Sequence, residues 1–265
     1  MKYVNMKSYA KINLTLDVLG KRDDGYHDIE TIMQTLSICD SIYISKTQKE
    51  GIRLRTNHSW LPTGPSNIAY KAAALIMDEY AIKDGVFIEL IKKVPVSAGL
   101  AGGSGNAAAV LCGINKLFEL GISRDKLMEY ALRLGSDVPY MLFGKTAKAT
   151  GRGEILSKLP AMPPCALVLV KPRINVSTAS VYKNFDMSAV SRRPDTNAMV
   201  SSLEKGDISG VAKNLCNVLE SVTIKSYPVI GEIKTSLAEK GALGAVMSGS
   251  GPSVFGIFET KDETK

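Results

Sequence analysis

Residues 95–110 read PVSAGLAGGSGNAAAV, with four glycines, five alanines and no charged side chain. Such a stretch can be a flexible linker, a close helix contact or a cradle for an anion, and its neighbours decide among them. Before it, GVFIELIKKVPV (85–96) reads as a strand that ends at Val94-Pro95. After it, Ala107, Val110, Leu111, Ile114, Leu117 and Phe118 recur at three- and four-residue steps. That spacing predicts an amphipathic helix opening near Ser104, running to about Leu120 and closed by Gly121. A linker would not lead into so regular a helix. Strand, glycine loop and helix in this order aim backbone N–H groups and the positive end of the helix dipole at one spot, and glycines let a phosphate come close. An anion site is the better reading. It is not GxxxxGK[ST], because no lysine follows the glycines, and no acidic residue after a second strand supports a dinucleotide fingerprint.

Working outward, YAKINLTLDVL (9–19) alternates, with Ala10, Ile12, Leu14, Leu16 and Val18 on one face and Lys11, Asn13, Thr15 and Asp17 on the other. This predicts a half-buried strand. A turn-rich loop follows, in which Asp24-Gly25 is a hairpin signal. TIMQTLSICDSIYISK and GIRLRT read as strands, and SNIAYKAAALIMDEYAI as a helix. SRDKLMEYALRLG is a further helix, with Ser123 placed to cap its start and Gly135 its end. Three prolines in LPAMPPC (159–165) mark a boundary between residues 1–160 and 161–265. Beyond it, ALVLVKP reads as a buried strand, NAMVSSLEKGD, ISGVAKNLCNVLE and VIGEIKTSLAEKG as helices, and ALGAVMSGSGPSVFGIFE as two strands around a glycine turn. The fold class is α/β, as two α+β domains.

Composition excludes several function classes. The N-terminus is broken by Lys7, Lys11, Asn13 and Asp17, so it is not a signal peptide, and no apolar run approaches the length of a membrane span. A cytoplasmic protein with no membrane partner is expected. Cys39, Cys112, Cys165 and Cys216 form no CxxC pair, so a metal cluster and a redox motif are not expected. A net charge of +7 suggests an anionic partner, but the basic residues are dispersed, which suits a small polyphosphate as well as a nucleic acid.

PVSAGLAGGSGNAAA resembles the phosphate loop of the GHMP small-molecule kinases, and AKINLTLDVLGKRDDGYHDIET and the late GSGPSVFGIF stand in that family's order. GSDVPY (135–140) and ATGRGE (149–154) narrow the resemblance to the branch that acts on a cytidine diphosphate-linked methylerythritol in the non-mevalonate isoprenoid route. The resemblance covers nearly the whole chain. It implies the GHMP kinase fold, with a ribosomal protein S5 domain 2-like N-terminal ATP-binding domain and a ferredoxin-like C-terminal domain. It also implies ATP with Mg²⁺ entering alongside it, no dedicated protein metal site, and a monomer or homodimer. Two positions depart from the family pattern: Ala101 stands where many members have glycine, and Gly105 replaces a second serine. The chain ends soon after VFGIFETKDETK, where relatives run on through another helix.

The resemblance assigns roles residue by residue. Pro95, Val96, Ser97, Ala98, Gly99, Leu100, Ala101, Gly102, Gly103, Ser104 and Gly105 would hold ATP phosphates, with Asn67 approaching adenine. Lys11 would reach the reacting hydroxyl and Asn13 the polyol. As bare sequence, a strand lysine is more often a solvated charge. Asp137 would act as general base, although before Pro139 it could equally be an N-cap. Tyr26 and His27 would recognise cytosine, with Tyr182 closing a sandwich and Thr178 near the diphosphate or polyol, whereas a loop Tyr-His pair is usually plain surface. Phe185 is the weaker match for that second ring, and His58 and Trp60 are read as loop residues. GSGPSVFGIF would pack its turn against the site. The alternatives are another GHMP kinase, such as a homoserine or mevalonate kinase, and a nucleic-acid-binding module, which the absence of basic clusters disfavours.

Overall fold

The structure is a computed structural model and describes residues 2–259. The chain forms two compact units, the first from residues up to Lys11, Leu36–Val96 and Ala101–Gly144, the second from Ile12–Thr35, Ser97–Leu100 and Lys145 onward. Two long strands, β1 (Tyr3–Lys21) and β2 (His27–Thr47), contribute residues to both.

In the first unit the later part of β2 pairs antiparallel with β4 (Gly85–Ile91), from Ser41↔Ile91 to Thr47↔Gly85. β3 (Ile52–Thr56) pairs parallel with β4 from Ile52↔Val86. Against these strands lie α1 (Ile68–Glu79) and α2 (Gly102–Phe118), followed by α3 (Arg124–Leu134) and the short α4 (Val138–Phe143). The α1 and α2 surfaces that enter the core are rich in alanine, including Ala69, Ala72, Ala73, Ala107 and Ala108. Small side chains let the two helices pack closely. Ile42, Ile44, Ile88 and Leu90 from the strands fill the remaining space. Burying such a side chain stabilises by about 1.5–3 kcal/mol. Ser123 caps α3 by accepting from Lys126 N at 3.2 Å.

The second unit holds two groups of strands. β2 pairs antiparallel with β5 (Thr146–Thr150), which forms a hairpin with β6 (Ile155–Lys158), and β1 pairs parallel with β8 (Cys216–Asn217). Separately, β7 (Ala166–Val170), β10 (Val254–Phe258) and β9 (Gly244–Met247) form an antiparallel sheet with β10 in the middle. Helices α5 (Thr178–Lys183), α6 (Thr196–Glu204), α7 (Ile208–Lys213), α8 (Glu220–Ser226) and α9 (Val229–Glu239) complete it. Its core joins Leu16, Val18, Val181, Leu219, Ile230 and Met247.

Four local expectations need correction. The alternating strand is not half-buried: Ala10 to Val18 are all buried, polar residues included. Its polar face is covered and satisfied. Asn13 donates to Thr31 Oγ1 at 2.8 Å, Thr15 Oγ1 accepts from Ile32 N at 3.0 Å, and Asp17 accepts from Arg193 at 2.7 Å. The helix expected across 208–220 is broken, because Asn214 caps α7 with its own amide on Gly210 O at 2.9 Å and Cys216-Asn217 turn into β8. ALVLV is an edge strand rather than a buried one, with Val168 44% exposed. The strand before the glycines stops at Ile91, three residues earlier than Val94, because the N–H groups of Lys93 and Val94 donate to Asp40 Oδ1.

Candidate active site

Of the residues singled out from the sequence, Lys11, Asn67, Pro95, Val96, Ala101–Gly105 and Asp137 belong to the first unit. Asn13, Tyr26, His27, Ser97–Leu100, Thr178 and Tyr182 belong to the second.

In the first unit α2 starts at Gly102, two residues before the expected Ser104. Its N-cap, Ala101, has φ 51° and ψ 29°, and its methyl group offers no acceptor to the first-turn N–H groups. No acidic residue stands in that turn. The first N–H groups of a helix have no partner within it, so Gly102, Gly103 and Ser104 present donors at the positive end of a 17-residue helix. Gly105 faces the other way and is buried. A Cβ there would lie 2.6 Å from Ser8 Oγ and 3.0 Å from the Tyr9 carbonyl, so a serine at this position would require the Ser8 side chain to shift.

Beneath this helix start is a buried polar network that the sequence did not announce. Lys92 pairs with Asp40 and donates to Asn106 Oδ1 at 3.0 Å, and Asn106 Nδ2 donates to Asp40 Oδ2 at 2.8 Å and Ser8 Oγ at 3.0 Å. Asp40 also accepts from the N–H groups of Lys93 at 2.7 Å and Val94 at 2.8 Å. One carboxylate therefore ties the strand β2, the chain entering the glycine stretch and the second turn of α2. The lone signals for it were an aspartate within an apolar strand and an asparagine within an alanine run.

Lys11 is buried, with 4% exposure. Asp137 stands at the N-cap of α4, yet its side chain makes no capping bond. The capping explanation of this carboxylate therefore does not hold. Asn67 does cap: its Oδ1 accepts from Ala69 N at 2.9 Å, and its Nδ2 donates to Pro62 O at 2.7 Å.

In the second unit the turn Ser248–Gly251 gathers several of the expected residues. Ser248 Oγ donates to Gly99 O at 3.0 Å, and Thr178 Oγ1 and Ser250 Oγ are 2.7 Å apart. A Cβ on Gly249 would lie 3.6 Å from Asn13 Oδ1. Asn217 fixes the turn by donating to Met247 O at 2.8 Å and Gly249 O at 2.7 Å. Gly99 has φ 73°, and a side chain on it would overlap the Ser248 carbonyl.

The His27 and Tyr182 rings are in direct contact, with centroids 5.2 Å apart and planes tilted by 33°. The exposed aromatic surface of this cluster is Tyr26, with 53% exposure. Its loop is braced by charge: Tyr26 N donates to Asp24 Oδ1 at 3.1 Å, and Arg22 reaches Asp24 at 3.1 Å and Asp28 at 2.7 Å. Desolvation, the largest single influence, pushes the Asp24 carboxyl up, but the Tyr26 N–H and the Arg22 guanidinium together outweigh it and hold the group below its ordinary range.

Residues 67–145 match the GHMP kinases N terminal domain and residues 199–265 match GHMP kinases C terminal. The chain belongs to the GHMP kinase family. Within it, the chain is 51% identical over 256 residues to the 4-diphosphocytidyl-2-C-methyl-D-erythritol kinase of Caldicellulosiruptor saccharolyticus, covering 97% of this chain and 88% of that protein. The enzyme of the same name from Acetivibrio thermocellus is 48% identical, with 99% and 93% covered. A crystal structure of 4-(cytidine 5'-diphospho)-2C-methyl-D-erythritol kinase superposes with a TM-score of 0.82 at 31% identity, covering 96% of this chain and 90% of that one. The chain has the two-domain mixed α/β fold of GHMP kinases. No helix among the described residues is long and apolar enough to cross a membrane.

Proposed function

We propose that this chain is a cytoplasmic enzyme that transfers the γ-phosphoryl group of ATP to the C2 hydroxyl of 4-diphosphocytidyl-2-C-methyl-D-erythritol. The observation that carries the reading is 51% identity along 97% of the chain to a kinase named for that substrate. Several features of the structure support this reading. The uncapped N–H groups of Gly102, Gly103 and Ser104 hydrogen-bond phosphate oxygens, as the charge and donors of a helix N-terminus favour. Asn13 and Thr178, brought to the Ser248–Gly251 turn, hold the polyol and diphosphate, and Tyr26 and His27 take the cytosine.

In the reaction the substrate hydroxyl oxygen attacks the γ-phosphorus while its proton passes to the Asp137 carboxylate. The bond from the γ-phosphorus to the bridging oxygen breaks, and ADP leaves. The Lys11 ammonium offsets the negative charge that grows on the attacking oxygen. Catalysis of this kind is mostly positioning and electrostatics. Mg²⁺ would enter with the triphosphate, held chiefly by its phosphate oxygens. When bound, that ion offsets phosphate charge.

The test is incubation with ATP and the cytidyl substrate, with homoserine and mevalonate as comparators. ADP release with the cytidyl substrate alone is expected, and none with it refutes the assignment. Asp137→Asn should lower kcat by about 10²–10⁴-fold with KM little changed. An unchanged kcat removes the carboxylate from the proton transfer.

A further inference from the structure

The hairpin turn of ATGRGE (149–154), between β5 and β6, has no part in the steps above. The Arg152 guanidinium lies over the Tyr26 ring, 4.8 Å from its centroid. The turn holds that arginine tightly. Its backbone N–H donates to Glu154 Oε2 at 2.6 Å, and its Nε lies 3.8 Å from Glu154 Oε1. Both side chains are largely covered, at 27% and 20% exposure. The Gly151 carbonyl accepts from Ile29 N at 2.8 Å, which fastens the turn beside the strand that begins at His27. On the other side, Asp24 fixes the Tyr26 backbone as described.

We propose that Arg152 is a positioning residue for substrate specificity: its guanidinium holds Tyr26 as a one-sided shelf on which the pyrimidine of the cytidyl substrate stacks. This rests on the reading of Tyr26 as a base-recognition residue. A tyrosine half in water rotates about two bonds, and part of any stacking energy is lost in stopping that motion. A flat cation against one face restrains the ring before the base arrives, and a cation over an aromatic face is itself attractive. Glu154 keeps the guanidinium from swinging away toward the substrate's phosphates. A tyrosine with one face covered also presents one face only, which gives the base a single side on which to stack.

Steady-state kinetics on the full chain test this. Arg152→Ala should raise KM for the cytidyl substrate about three- to tenfold, as expected for losing a partly desolvated cation–π contact. KM for ATP and kcat should stay within about twofold. Arg152→Lys should recover part of the loss, since it keeps the charge without the plane. It also keeps the test open should the alanine variant not fold. In a Tyr26→Ala background, Arg152→Ala should add nothing further. The proposal is overturned if Tyr26→Ala raises KM while Arg152→Ala does not. It is also overturned if the Arg152 effect persists undiminished without Tyr26, which would mark a direct contact with the diphosphate. If Tyr26→Ala itself leaves KM unchanged, the base-recognition reading fails first.

Discussion

Two regions, the helix start at Gly102 in the first unit and the loop around Tyr26 in the second, treat charge differently. In the first, an aspartate with no exposed surface holds a buried lysine, an asparagine and two backbone N–H groups directly beneath the glycine-rich helix start. In the second, the charged pairs Arg22–Asp24 and Arg22–Asp28 brace a loop and keep substantial exposure, while Arg152–Glu154, at 3.8 Å, braces a hairpin turn from more covered positions. On the proposed function, the contrast follows from what each would hold. A phosphate offers the same oxygens whatever it is attached to, so its cradle can be built once and locked by a network too costly to break. A nucleobase is recognised by ring faces and edges, so its residues sit on loops whose ion pairs are individually weak.

Removing the hub of the buried network should have the largest effect. Asp40→Ala takes the carboxylate from the Lys92 ammonium, which retains Asn106 Oδ1, and from the N–H groups of Lys93 and Val94. Breaking one partner of a buried pair costs about 3–5 kcal/mol, and urea denaturation should show it. A loss below about 1 kcal/mol, the usual size for an exposed pair, would erase the distinction between the two regions.

Next comes the glycine stretch, which contributes to both units. Gly99→Ala forces a side chain at φ 73° onto the Ser248 carbonyl and should cost about 2–4 kcal/mol, read as a lowered Tm. Gly103→Ala is the sharpening control. A Cβ there meets only Ile68 Cγ2, at 3.5 Å, so the fold should tolerate it. If Gly103 lines the phosphate, that variant should keep its Tm and raise KM for ATP. Equal Tm losses in the two variants would show that the stretch is shaped throughout by packing.

In the second unit, Tyr182→Ala removes the ring that rests on His27. Loss of an aromatic contact of this size, about 1 kcal/mol beyond its area, should raise KM for the cytidyl substrate about fivefold and leave KM for ATP alone. A rise in both would show that nucleotide and base are not read by separate sets of residues.

What the sequence revealed was whatever its local spacing encodes. α2 was legible because its apolar positions repeat along one helix. Partners distant in sequence were not legible. The polar face of β1 looked solvent-facing because nothing near it announces Thr31 or Arg193 as its cover. Residues 208–220 kept helical spacing through Val211, Leu215 and Val218, although the chain leaves the helix at Asn214. The Asp40 network was hidden because Ser8, Asp40, Lys92 and Asn106 come from four separate stretches. Arg152 was visible in its motif, but its contact with Tyr26 was not.

The smallest expected effect concerns Ala101, which stands where many members of the family have glycine. The observed φ is 51°, in the left-handed region. An L-residue other than glycine pays about 1–2 kcal/mol there, and glycine in turn loses part of that gain through its freer unfolded chain. Ala101→Gly should therefore stabilise the protein by about 0.5–1 kcal/mol, measured by urea denaturation at equal m-value. Since the alanine supplies no cap, the substitution takes no hydrogen bond from the first turn of α2, and KM for ATP should not rise. A loss of stability would mean that the methyl group packs favourably enough to outweigh the strain, and the phosphate half would then be locked by contacts at the helix start as well as by the network beneath it.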